Sequence, residues 1–130
     1  MRSFWIAAEE DPDRIALILP DGREIRAGKL AAGVNRLVHG LRVRGVGEGS
    51  VVAVLQPNGA PLVELLLAAM QAGWHYTPIN VHLRPGELAH ILRASRADAF
   101  FGQPAHFEQP PLERLELLLE MSYRSLHLSP

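Results

Sequence analysis

From Val51 to Phe101 the chain alternates strand-like and helix-like segments, and this alternation limits the available folds more than any other feature. Val51-Val52-Ala53-Val54-Leu55 is a continuous apolar run rich in β-branched residues. Such a run suits a strand covered on both faces, as in a parallel sheet. Gln56-Pro57-Asn58-Gly59 breaks it, and Asn58 is a candidate helix N-cap. A helix fits Ala60 to Gln71, closed by Gly73. Glu64 and Gln71 are its only strongly polar members. They share one narrow face, so the helix is expected to be buried on several sides. Trp74 to Ile79 reads as a second strand, with Trp74 and Tyr76 on one face and His75 on the other. A third helix, opened by Pro85 and running to Arg96, presents Leu88, Ile91, Leu92 and Ser95 inward. Ala97 to Phe101 is the next strand. The order gives two linked βαβ units and a mostly parallel sheet, hence an α/β fold.

Upstream, Ile15 to Leu19 and Arg23 to Ile25 flank Asp21-Gly22, which supplies hairpin turn chemistry. A helix from Ala27 to Arg44 follows. Its Leu30, Val34, Leu37, Val38 and Leu41 form one face, and Gly45 is placed to end it in the left-handed conformation. Downstream of Gly102 the texture changes. Residues 103–111 read as a proline-containing loop, and Leu112 to Leu126 as an amphipathic helix. The expected division is therefore residues 1–102, an α/β unit, and 103–130, a divergent tail.

Composition excludes several functions. Thirteen basic residues against 14 acidic ones give a net charge of −1, with no basic excess to hold nucleic acid. The absence of cysteine excludes a disulfide framework, a thiolate metal site and a thiol nucleophile. The longest stretch free of Asp, Glu, Lys and Arg, Leu65 to Leu83, contains Gln71, His75, Pro78, Asn80 and His82 and does not read as a membrane span. The N-terminal apolar stretch is too short for a signal-peptide core, so a cytoplasmic location is expected.

No catalytic, cofactor-binding or metal-ligating residue emerges from motif reading. Gly45-Val46-Gly47-Glu48-Gly49 follows a helix and precedes a strand, the reverse of a phosphate-binding loop, and reads as a connector. Lys29 is followed by Leu30, so a Walker-type loop is absent. His39, His75, His82, His90, His106 and His127 show no compact ligand spacing, and they read as surface histidines. Trp74, His75 and Tyr76 could line a ligand cavity, but core packing accounts for them more simply.

Three phrases together carry more. They are Leu30 to Leu37 (LAAGVNRL), Leu41 to Gly59 (LRVRGVGEGSVVAVLQPNG) and Ala72 to Leu92 (AGWHYTPINVHLRPGELAHIL). In this order and spacing they resemble the N-terminal region of AMP-forming acyl-CoA synthetases, the adenylate-forming family that includes luciferases and peptide-synthetase adenylation domains. The resemblance covers Asp11 to Gly102. The Tyr76-Thr77-Pro78-Ile79-Asn80 phrase with the following His82-Leu83 looks most like the fatty-acyl branch. Ser50 stands where the family usually has Asp. The resemblance implies ATP, Mg²⁺ and coenzyme A as the full family's cofactors, with a carboxylic acid activated as its acyl-adenylate.

The family's chemical residues have no counterpart here. Its ATP loop is a Ser/Thr/Gly-rich segment ending in Pro-Lys, whereas this chain has one threonine, Thr77, and one lysine, Lys29. The aromatic-Gly-x-Thr-Glu segment, the ribose-binding Asp and the C-terminal lysine are also missing. The matching residues are scaffold. The sequence is therefore expected to be a truncated N-terminal piece of an acid–CoA ligase, inactive alone and binding no cofactor by itself. A non-catalytic interaction module pairing with itself or a partner chain is the alternative; the expected partners of the exposed apolar surface are a second copy or the missing remainder of the synthetase. A stand-alone nucleotide-binding domain is disfavoured by the missing phosphate loop.

Overall fold

The computed structural model describes residues 3–84, 86–102 and 119–121. A helix that periodicity did not announce opens the chain: α1, Phe4–Glu10, with Ser3 as N-cap accepting from the Ile6 backbone N–H. The hairpin follows as expected, β1 (Ile15–Ile18) pairing antiparallel with β2 (Glu24–Arg26). Gly22 takes φ +89° in its turn, a conformation that side-chain-bearing residues resist.

Helix α2, Ala27–Val43, buries Leu30, Val34, Leu37, Val38 and Leu41, the stripe read from the sequence. Burying each such side chain is worth about 2 kcal/mol. Gly45, at φ +91°, closes the helix, and the Val46 N–H returns to the Leu41 carbonyl. The following glycine connector leads into β3 (Val51–Val54), as expected.

Four strands form one sheet in the order β4-β3-β5-β6, all parallel. Strand β4 is His75–Pro78 and β5 is Ala99–Phe101. Between them lie α3 (Ala60–Ala72) and α4 (Glu87–Ser95). Alternation along the strands divides the core into two layers. Val52, Val54, Ala99 and Phe101 face α2 and α3. Ala53, Leu55 and Phe100 face Leu88, Ala89 and Leu92 of α4. Both faces are thus covered, which explains why β3 tolerates an uninterrupted apolar run. At the strand starts, Asp98 clasps β3. Its backbone N–H donates to the Val51 carbonyl, and its Oδ2 accepts from the Val51 N–H, both at 2.8 Å.

Four expectations need correction. Asn58 does not cap α3; Gly59 occupies the N-cap and has no side chain to bond there. Pro61 in the first turn has no N–H to offer a capping oxygen, so one reason for a cap is absent. The strands expected over Trp74–Ile79 and Ala97–Phe101 are confined to His75–Pro78 and Ala99–Phe101. Trp74 instead turns off α3, its N–H bonded to the Ala69 carbonyl. Nor is α3 enclosed all round, since Leu66 is 44% and Met70 64% exposed. Finally, residues 119–121 are a strand, β6 (Leu119–Met121), inside the span expected to be helical. The ladder offered by β5 supplies backbone partners that outweigh local helix preference there. The remaining residues of the expected 103–111 loop and 112–126 helix lie outside the described residues.

Among the described residues, no helix is long and apolar enough to cross a membrane.

Candidate functional site

In open parallel sheets, ligands meet the crevice outside the strand carboxyl ends, at the point where the strand order reverses. Here that point lies between β3 and β5. The exit from β3 enters α3 and leads to β4 on one side, while β5 has β6 as its other neighbour. The carboxyl ends bring together Gln56, Pro57, Asn58 and Gly59 after β3, Ile79 and Asn80 after β4, and Gly102 after β5. Pairing of Leu55 N–H with the Phe101 carbonyl and of Ile79 N–H with the Val54 carbonyl fixes their register, both at 2.9 Å. The Asn80 side chain accepts from the His82 N–H at 2.9 Å and sets the turn beyond β4.

These groups are amides, backbone and small residues. They can orient a neighbouring chain or ligand by hydrogen bonding, but they contain no acid–base pair and no nucleophile. Tyr76, half-buried in β4, has its phenol pushed above its ordinary pKa by burial, so it is a weaker proton donor than usual.

The family's ATP and Mg²⁺ do not fit the residues described. Lys29 is exposed in the first turn of α2, and Thr77 lies within β4, so the two are not in one loop. Among the described residues, no group of three or more His, Asp or Glu side chains could hold a metal ion. His39, His75, His82 and His90 are all exposed; His106 and His127 lie outside the described residues.

Trp74, 7% exposed, belongs to the core layer of α2 and α3, with Tyr76 packed against it and His75 turned outward. The alternation read from the sequence holds, and core packing prevails over a cavity wall. The Trp74 indole N–H is buried without an acceptor among the described residues. A groove of about 470 Å³ does exist, lined by Val38, Arg42, Val46, Glu48, Met70 and Gln71 among others. It sits beside the loop that enters β3, at the amino ends of the strands and away from the crevice.

Sequence reading missed how the polar residues of α3 are used. Gln71 accepts from Trp5 Nε1 and donates to Asn35 Oδ1, both at 2.8 Å, tying α1, α3 and α2 together. Glu64, only 7% exposed, lies against Gly33 of α2. Their shared spacing, seven residues apart, was the available signal; it marks the face toward the neighbouring helices.

The fold defines an open α/β scaffold whose parallel sheet reverses its strand order between β3 and β5. More narrowly, the chain belongs to the AMP-binding enzyme family, which it matches over residues 4–126. That match runs past Gly102, beyond the Asp11–Gly102 span covered by the sequence phrases. It is similar to feruloyl-CoA synthase from an Amycolatopsis species, 38% identical over 104 residues, 75% of this chain and 21% of that protein. It is also similar to sulfoacetate–CoA ligase from Cupriavidus necator, 34% identical over 100 residues, 76% of this chain and 20% of that one. The chain thus spans about a fifth of the length of these curated relatives. In structure it resembles O-succinylbenzoate coenzyme A synthetase from Bacillus subtilis, solved with ATP and a magnesium ion. The TM-score is 0.84 at 23% identity, covering 98% of this chain and 34% of that one. The α/β fold is that of the N-terminal part of adenylate-forming enzymes.

Proposed function

We propose that these 130 residues furnish scaffold for an acid–CoA ligase and perform neither half of its reaction alone. In that reaction the carboxylate attacks the ATP α-phosphate and releases pyrophosphate. The coenzyme A thiol then takes the acyl group from the adenylate and releases AMP. Cationic and Mg²⁺ stabilisation of the phosphates is what such chemistry requires.

The observation that carries the reading is the coincidence of family phrases with structural corners. The Gly45–Gly49 connector, the Pro57-Asn58 corner and the Pro78-Ile79-Asn80 corner all sit at strand ends. None of them bears a reacting group. Similarity to two acid–CoA ligases supports the reaction class. The Tyr76–Asn80 phrase favours a fatty acid, so the acid panel should include fatty, ferulic and sulfoacetic acids.

The test is direct. The purified chain is incubated with ATP, Mg²⁺, coenzyme A and each acid. Acyl-CoA formation and acid-dependent exchange of pyrophosphate into ATP are both measured. Neither should exceed the no-protein background; turnover by the chain alone would overturn the assignment of scaffold without chemistry.

A further inference from the structure

We draw no further inference here: the strongest candidate, the outward apolar face of α3 around Leu66 and Met70, is an exposed surface for which nothing in the structure shows what covers it.

Discussion

Gly33 in α2 faces the Glu64 carboxylate in α3 so closely that a Cβ on Gly33 would stand 2.8 Å from Oε1 and 3.2 Å from Cδ. A glycine inside a helix costs about 1 kcal/mol relative to alanine, so its presence here reflects the close approach of the two helices. With Glu64 only 7% exposed, its carboxylate has little room to retreat. Gly33→Ala should therefore destabilise the protein by about 1–3 kcal/mol, as overpacking does. In a Glu64→Ala background the same change should reverse sign and stabilise by about 1 kcal/mol. A double-mutant cycle by urea unfolding reads the difference. Additive effects would show that the two positions are independent.

Gly73 and Gly45 both follow helices with positive φ, at +73° and +91°, but their surroundings differ. A Cβ at Gly73 would meet Glu48 Cγ at 3.1 Å, whereas one at Gly45 would meet nothing within 4 Å. Gly45→Ala should cost about 1 kcal/mol from backbone conformation alone. Gly73→Ala should cost more, because Glu48 must also move. Equal losses in unfolding experiments would remove the part assigned to Glu48.

The hairpin turn carries a testable charge effect. The Arg23 backbone N–H first, and then its side chain, hold the Asp21 carboxyl below its ordinary pKa. The Arg23 Nε donates to Asp21 Oδ2 at 2.6 Å. A carboxylate with a depressed folded pKa stabilises the fold above its unfolded pKa, and the contribution disappears as pH falls through the folded value. An NMR titration of Asp21 should give a midpoint below that of an unperturbed aspartate. Arg23→Gln should move it part of the way back, since the backbone donor remains. A midpoint unchanged by the substitution would assign the whole shift to the backbone.

Helices α2, α3 and α4 and the central strands were legible because local pattern and tertiary burial agree in them. The apolar period of α2 falls on its buried face, and the β3 run is apolar because both sides are covered. The orientation of α3 was not legible. Gln71 finds its partners in Trp5 and Asn35, 66 and 36 residues away, so the spacing that sets Glu64 and Gln71 on one face does not say which helices that face meets. At residues 119–121 a leucine-rich helical pattern yields to the ladder with β5, a long-range pairing. The residues at the strand ends form no motif for a different reason. Asn58, Asn80 and Gly102 acquire a common location only when three strands align, and no spacing between them encodes a reaction.

The scaffold assignment is tested most directly by exchange. The matching segment of the Amycolatopsis feruloyl-CoA synthase is replaced by the corresponding residues of this chain, and ferulate-dependent pyrophosphate exchange into ATP is measured. A folded chimera should retain exchange clearly above the no-ferulate background, because the substituted segment positions the fold and the reacting groups come from elsewhere. A folded chimera that binds ATP yet shows no exchange would contradict the account.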